Sequence, residues 1–336
     1  AGVPGTGLFY TKKIGGRGRG GGRRGAGGGG GGRLTSAERR ELAAAAEQAA
    51  ALERLDLGFL ERLRTPADER WFVDAAAAFV RGDREEAYQH AAKADRGADA
   101  AWLAGTLAMD RGDQVAAIRH FSDAWRRRTT LGRLFERYGV GAVMDLAVTA
   151  DVRARVTADE RGLLLVRAEL AQAAGDEQGA VRFVRQLLER MPEDPVVRLS
   201  LAELLIGDAF DGLVGDPDRP LPAEPRLSAR RRAAMEEVVG LAAGIENQTA
   251  VHTALLHFSA VALASLGLLD AARERLTLVL RRTKDRPAEL LRDARLLRAV
   301  VYEADGRRAA ARKDLERLYA EDPRFPTVAR RLGLRG

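Results

Sequence analysis

Between residues 68 and 325, small and apolar residues recur at fixed distances from a series of glycines. Gly82, Gly112, Gly175, Gly267 and Gly306 are each followed five residues later by an alanine. A small residue stands seven positions before each of these glycines, and an apolar residue stands nine positions after it. Because glycine can end a helix in the left-handed conformation and small residues let two helices approach closely, this spacing predicts pairs of antiparallel helices.

The spacing predicts clear helical hairpins at about 68–97, 98–130, 161–194, 253–286 and 292–325. Pro192 and Pro323 follow their glycines by seventeen residues, where they would close a hairpin. The segment 131–160 is long enough for a degenerate hairpin of the same kind. A single hairpin cannot bury its apolar face alone, so the hairpins must stack on one another. The predicted fold class is therefore all-α, an α-solenoid of helical-hairpin repeats.

The repeats occupy two blocks, 65–206 and 228–336, with N-terminal helices at 35–64 before them and a closing helix at 326–334. Thr35 and Glu38 have the spacing of a capping box at the start of the first helix. The prolines and glycines of 207–227 exclude a continuous helix, so we predict an inserted loop there, between helices near 195–206 and 228–244. Its acidic residues lack the alternation of a calcium loop and are interpreted as turn residues: Asp208, Asp211, Asp216 and Asp218.

The step from glycine to alanine, the small residue before it and the closing proline resemble the tetratricopeptide repeat (TPR), and Trp71 stands where that family favours a large aromatic residue. The resemblance implies that the first helix of each hairpin lines a concave groove that binds a protein or peptide partner. The groove positions carried over to this chain include Phe72, Phe79, Trp102, Thr106, Met109 and Glu169. An aromatic and acidic groove of this kind suits an amphipathic or basic segment.

The residue types at these positions limit which ligand the groove can be expected to bind. Family members that bind the acidic tails of chaperones use Lys, Arg and Asn in the groove, and this chain has Phe72, Ala76, Trp102 and Thr106 there instead. That specificity is therefore not expected. The alternative to a groove is that Phe72, Phe79 and Trp102 are core residues covered by the helices of 36–63.

The net charge of the chain is concentrated at its N-terminus. Residues 1–33 contain seven basic and no acidic residues, which accounts for the whole net charge of +7. Residues 15–34 are almost entirely Gly and Arg and predict a disordered linker. The alternative is an arm that binds nucleic-acid phosphates or an anionic surface, although the tract has no aromatic residue for stacking after Tyr10. Its cations are Lys12, Lys13, Arg17, Arg19, Arg23 and Arg24.

The first fourteen residues contain a G-x-P-G-T-G phrase that invites comparison with a phosphate-binding loop. Such a loop needs Lys and then Ser or Thr after its last glycine, whereas Leu8 and Phe9 follow Gly7 here. Residues 2–11 are more similar to the C-terminal end of a small β-rich bacterial domain of unknown function. Since the chain also begins with Ala1 rather than Met, we interpret 1–14 as the end of a truncated upstream domain.

Neither motifs nor composition indicate an active site. The absence of cysteine excludes thiol nucleophiles and thiolate metal sites, and no recognisable catalytic motif is present. His90 and His120 stand at equivalent repeat positions, and His252 and His257 are five residues apart, which does not align two metal ligands on one helical face. We therefore expect a non-enzymatic protein without metal or cofactor.

Three functions remain open at this point. The first is a protein-interaction scaffold, the second is nucleic-acid or anionic-surface binding through the arm, and the third is an accessory module of a larger enzyme. No apolar run is long enough to span a membrane, and we expect a cytoplasmic location.

Overall fold

The computed structural model describes residues 36–94, 97–141, 143–216, 221 and 226–334. The predicted Gly/Arg arm, the phrase at residues 2–11 and the Thr35 cap lie outside the described residues. Within them the chain is helical apart from one pair of short strands and the connecting turns. No helix in the described ranges is long and apolar enough to cross a membrane.

Seventeen α-helices, one short 3-10 helix and two strands are found in the described part of the chain. In chain order they are α1 (Ser36–Leu55), α2 (Phe59–Arg64), α3 (Ala67–Arg81), α4 (Arg84–Lys93), α5 (Ala98–Asp110), α6 (Gln114–Arg126), the 3-10 helix (Arg128–Thr130), α7 (Arg133–Arg137), β1 (Met144–Ala147), β2 (Arg153–Val156), α8 (Glu160–Ala173), α9 (Glu177–Arg190), α10 (Pro195–Ile206), α11 (Ala209–Val214), α12 (Ala229–Leu241), α13 (Ala250–Ser265), α14 (Leu269–Leu280), α15 (Ala288–Ala304), α16 (Arg308–Glu321) and α17 (Pro326–Arg331).

The chain divides into two compact units. Unit 1 contains the described residues up to Asp145 together with Arg155–Val166, and unit 2 contains Leu146–Ala154 together with the described residues from Arg167 onward. Each unit consists of helical hairpins that pack on their neighbours, which confirms the predicted TPR-like solenoid architecture.

Unit 1 shows why the repeat has its particular spacing. Gly82 and Gly112 adopt the left-handed conformation and separate α3 from α4 and α5 from α6. Inside the second hairpin, Gly105 lies directly against the ring of Phe121, and a Cβ atom at residue 105 would come within 2.9 Å of that ring. The small residue before the turn and the large residue after it therefore contact each other, and the contact fixes the distance between the two helices.

The segment 131–160 departs from the prediction of a degenerate helical hairpin. It contains the short helix α7 and the hairpin β1–β2. Along each strand, buried residues alternate with more exposed ones. The buried residues are Met144 and Leu146 on β1 and Ala154 and Val156 on β2. This alternation is typical of strands and not of helices. The prediction of a helical pair was therefore wrong for this segment.

A single buried carboxylate holds α7 in unit 1. Asp99, near the start of α5, accepts hydrogen bonds from the backbone N–H groups of Gly132, Leu134 and Phe135. These N–H groups belong to the first turn of α7, where a helix has no internal acceptors for them. Asp99 thus caps a helix more than thirty residues away along the chain.

Unit 2 contains the later hairpins. Gly175, Gly267 and Gly306 again have positive φ and separate α8 from α9, α13 from α14, and α15 from α16. The helices α10 and α12 pack together as a further pair, although the segment between them is long. The predicted closing helix is α17, which packs on α16.

The predicted inserted loop contains the helix α11, so the prediction was only partly correct. This helix packs on α13 and α15, and the ring of Phe210 lies 5.5 Å from that of His257. Its C-terminal end is held by Arg331, which donates to the carbonyl oxygens of Val214 and Asp216. The insertion is therefore an integral part of unit 2 over its described residues.

Candidate functional site

The predicted groove aromatics of unit 1 lie in its core. Phe72 and Trp102 are completely buried, and Phe79 is 7% exposed. The ring of Phe72 packs edge-on against Phe135 at 5.2 Å between centroids, and that of Trp102 packs against Phe121 at 5.4 Å. They do not line an open groove, and the alternative interpretation of them as core residues describes the structure. Phe72 contacts Phe135 of α7, an element that the expectation of cover by the helices of 36–63 did not include.

The other three predicted groove residues differ in their surroundings. Thr106 is fully buried, and its hydroxyl donates to the carbonyl oxygen of Trp102, so it is also a core residue. Met109 on α5 and Glu169 on α8 are half-buried, and both remain partly accessible. A partner-binding role stays a prediction for these two residues, and Glu169 lies in the more informative environment.

Glu169 lies beside a second carboxylate, Glu203 on α10, and we call these two residues the acidic pair. Burial raises the pKa of Glu169. Burial, together with the neighbouring charge of Glu169, raises the pKa of Glu203 to about 8. In the described part of the chain, neither carboxylate forms an ion pair with a basic side chain. Two like charges in a poorly solvated environment repel each other, so ionisation of both carboxyl groups is unfavourable.

Three further carboxylates of unit 2, which we call the acidic triad, come from three different elements. Asp151 belongs to the turn between β1 and β2, Asp211 to α11, and Asp293 to α15. The pKa of Asp293 is raised to about 6, first by burial and then by the charges of Asp151 and Asp211, while Arg292 acts in the opposite direction. Arg292, which also pairs with Glu289, lies close to Asp151 and Asp293.

Some partly or fully buried acids elsewhere in the described residues have arginine partners, unlike the acidic pair. Glu69 pairs with Arg137 at 2.7 Å in unit 1, and Asp314 pairs with Arg298 at 2.8 Å in unit 2. The acidic pair differs from this pattern although the chain contains 55 basic residues. Because the missing counter-charge is not supplied by the described residues, we interpret the acidic pair as the candidate binding site.

Part of this site could have been found from the sequence. Glu203 follows Glu169 by 34 residues, which is the length of one TPR hairpin, so the two acids hold equivalent positions on successive first helices. The triad could not have been found in this way, because Asp151 and Asp211 belong to segments outside the repeat. Of the predicted anion-binding arm, all six cations lie outside the described residues: Lys12, Lys13, Arg17, Arg19, Arg23 and Arg24.

The histidines occupy separate environments. His90 stacks on Trp71 with 5.5 Å between ring centroids, and His120 packs edge-on against Tyr88. His257 is buried in unit 2, and burial lowers its pKa to about 4. In the ranges that the structure describes, no three His, Asp or Glu side chains are arranged to hold a metal ion.

Comparison with known proteins supports the fold and does not extend to function. No family model matches the sequence, and no curated protein matches it. The N-terminal domain of the EccA1 ATPase from the ESX-1 secretion system of Mycobacterium tuberculosis is similar in structure, with a TM-score of 0.51 and 17% sequence identity over 79% of this chain and 88% of that chain.

Two TPR domains are also among the similar structures. The TPR domain of P58(IPK) has a TM-score of 0.30 and 14% identity over 90% of this chain and 69% of its own. The TPR2AB domain of yeast Sti1, solved in a complex with pHSP90, has a TM-score of 0.30 and 14% identity over 79% of this chain and 95% of its own.

Proposed function

We propose that this protein is a protein-interaction scaffold whose second unit binds a cationic segment of a partner protein at the acidic pair. The observation that carries the proposal is the position of Glu169 and Glu203, two half-buried and unpaired carboxylates on the first helices of successive hairpins. In a TPR-like fold these helices form the face that the resemblance assigns to partner binding. The proposal assigns no reaction to the chain.

A cation should bind here because a negative charge on both carboxylates is energetically unfavourable in the free protein. The raised pKa of Glu203 means that ionising this side chain beside Glu169 is unfavourable in the absence of a cation. An arginine or lysine of the partner would remove the repulsion and donate hydrogen bonds to both carboxylates. A guanidinium group fits this role well, because its planar fork can donate to two carboxylates at once.

The test is a titration of the full chain with a fluorescently labelled, unstructured Arg-rich peptide, followed by fluorescence anisotropy. A peptide of the same sequence with citrulline in place of arginine keeps the shape and removes the charge. The proposal expects binding of the Arg peptide only. The double variant Glu169→Gln and Glu203→Gln should weaken it by tenfold or more, since a hydrogen bond to a charged group contributes about 1.5–3 kcal/mol.

A control variant distinguishes binding at the acidic pair from attraction to the overall charge of the protein. Glu236 on α12 and Glu274 on α14 are exposed acids, and their replacement by glutamine removes at least as much negative charge from the protein as the double variant of the acidic pair does. We expect this control variant to bind the Arg peptide nearly as tightly as the unmodified protein. Equal weakening in both double variants would mean that the peptide responds to overall charge and would contradict the proposed site.

A second candidate function is favoured by one observation, the seven basic and no acidic residues of 1–33. In this second function, the arm binds nucleic acid or another anionic surface, and the helical units act as an assembly module. The measurement is the salt dependence of binding to a labelled single-stranded RNA, because phosphate contacts release counterions. Binding that falls steeply with salt and is lost on deletion of residues 1–33 would support this function, and binding that survives the deletion would oppose it.

A further inference from the structure

The helix α11 covers one face of two first helices in unit 2. It packs on α13 and α15, which are the first helices of the last two hairpins. The ring of Phe210 on α11 lies 5.5 Å from the ring of His257 on α13. Asp211 on α11 is close enough to Asp293 on α15 for its charge to raise the pKa of that carboxyl group. We call the surface that carries His257 and Asp293 the covered face, because the chain itself occupies it.

The burial of α13 shows what lies beneath α11. All residues of α13 from Thr253 to Ser265 are buried except Phe258, whereas a helix with one face in water usually has a polar stripe there. His257 is 4% exposed, and Val261, one turn further along the same side of the helix, is completely buried. Departure of α11 would therefore bring a largely apolar helix face into contact with water or with another chain.

The sequence of α11 gives this helix little stability of its own. It has six residues, and helices shorter than about twelve residues are marginal in water. Gly212 stands inside it, where glycine disfavours helix, and no side chain caps its N-terminus. Of its residues, Val214 alone is buried. The helix therefore depends on its docked position.

Two features of the docked position oppose it. Nδ1 of His257 is buried without a hydrogen-bond partner among the described residues, and contact with water would remove this cost. Asp211 brings its negative charge near that of Asp293, and like charges repel each other in a poorly solvated environment. Both costs are relieved when α11 leaves the covered face.

Against these costs, α11 is held at its two ends. Near its N-terminal end, Phe210 packs on α13. Beyond its C-terminal end, Arg331 donates hydrogen bonds to the carbonyl oxygens of Val214 and Asp216. The Arg331 side chain is 3% exposed and is oriented by its ion pair with Glu303 of α15 at 2.6 Å. Few interactions therefore decide whether this helix stays docked.

We propose that α11 is a strap that opens separately from the rest of unit 2 and controls access to the covered face. Gly207, with a positive φ of 51°, lies between α10 and α11 and can change its backbone angles at little steric cost. Fourteen residues lie between α11 and α12, enough chain to follow such a movement. A segment of a partner can then occupy the covered face only after α11 has left it.

This inference rests on the proposed function only where it assigns the face of the first helices to partner binding. The opening of the strap is measured without a partner. Failure of the Arg-peptide titration would therefore leave the strap intact, and failure of the strap would leave the acidic pair intact.

The test uses the absence of cysteine from the chain, which makes a single introduced thiol a unique reporter. His257→Cys places the thiol beneath α11, and Val214→Cys places it on α11. Ala262→Cys is the control, because Ala262 is completely buried and lies about 140° from His257 around α13. Each variant of the full chain reacts with excess DTNB, and its rate is divided by the rate of the same variant unfolded in urea. The ratio measures how often the thiol is accessible.

Both reporter thiols should react about tenfold faster than Ala262→Cys or more, because opening of a strap needs less free energy than unfolding of the unit. Loosening one end of α11 should also affect the other end. Arg331→Ala should accelerate the reaction of His257→Cys by about fivefold or more. Phe210→Ala should accelerate that of Val214→Cys to a similar extent. In both backgrounds the rate of Ala262→Cys should change by less than about twofold.

Arg330→Ala is the matched control for Arg331→Ala, because it removes the same charge from an exposed neighbouring position of α17. It should leave the rates of all three thiols within about twofold of their values without it. Circular dichroism establishes that each variant is folded.

The proposal is overturned if both reporter thiols react as slowly as Ala262→Cys, since α11 would then open only when unit 2 unfolds. It is also overturned if Arg331→Ala accelerates all three thiols equally, which would indicate a general loss of stability. Acceleration of Val214→Cys by Arg331→Ala without any acceleration of His257→Cys would mean that only the end of α11 frays, and this result would overturn it as well.

Discussion

Replacing Glu203 with glutamine tests the electrostatic strain at the acidic pair in the free protein. The pKa of this carboxyl group is raised from 4.5 to about 8 by burial and by the charge of Glu169. The folded protein therefore keeps this proton at pH values where the unfolded chain has released it. Stability that is fully present below pH 4.5 is lost as the pH rises toward 8, because the ionised form is unfavourable in the folded state.

The magnitude follows from the size of the pKa change. One pKa unit corresponds to about 1.36 kcal/mol, so the change sets an upper bound of about 5 kcal/mol above pH 8. Glu203 is half-buried, and water and side-chain movement relieve part of this cost. We expect Glu203→Gln to raise the free energy of unfolding by about 2 kcal/mol at pH 8.5 and by less than about 0.5 kcal/mol at pH 5.

The assay is urea unfolding followed by far-UV circular dichroism at both pH values. Tryptophan fluorescence is unsuitable, because Trp71, Trp102 and Trp125 all belong to unit 1 and Glu203 to unit 2. Glu236→Gln, at an exposed position of α12, is the control and should leave the pH dependence unchanged. The reasoning is refuted if Glu203→Gln is no more stable than the unmodified protein at pH 8.5, or if its gain is the same at pH 5.

Three further predictions concern the packing of the two units. Gly105→Ala places a Cβ atom within 2.9 Å of Phe121 and should destabilise unit 1 by about 1–3 kcal/mol in urea unfolding monitored by tryptophan fluorescence; no loss would show that the repeat spacing does not reflect close contact. Asp99→Ala leaves three N–H groups of α7 without their acceptor. It should lower the free energy of unfolding by about 2–3 kcal/mol in the same measurement. An effect below about 0.5 kcal/mol would contradict the capping role of Asp99. Arg331→Ala removes the ion pair with Glu303 and two hydrogen bonds to the end of α11. Amide hydrogen exchange in 209–214 should therefore accelerate. Unchanged exchange would mean that α11 is held by its apolar contacts alone.

The helical hairpins could be predicted because their determinants are local and repeated. Each glycine ends a helix, and each pair of a small and a large residue, such as Gly105 and Phe121, sets one helix–helix distance. The break at 131–160 was missed because the hypothesis of a continuous repeat took precedence over the two-residue alternation of Met144–Val156. The helix α11 was missed because prolines on its C-terminal side indicated a loop, and its stability comes from α13, α15 and the distant Arg331.

The candidate site was predicted only in part for a similar reason. Glu169 was placed correctly on a first helix, and its partner Glu203 follows from the 34-residue repeat. Burial of Phe72 and Trp102 depends on which segments cover them, and one of these, α7, is positioned by the hydrogen bonds of Asp99 over a long sequence distance. Sequence spacing shows which residues share a helix face, but it does not show what lies on that face.

Proton release on binding tests the central claim most directly. At pH 7 a carboxyl group with a pKa of about 8 is about nine-tenths protonated, so a cation that binds the acidic pair must displace this proton. Isothermal titration calorimetry with the Arg-rich peptide, in two buffers of different ionisation enthalpy, measures the number of protons released. The account predicts a release approaching one proton for the unmodified protein and close to none for Glu203→Gln. Binding without proton release, or equal release by the two proteins, would contradict it.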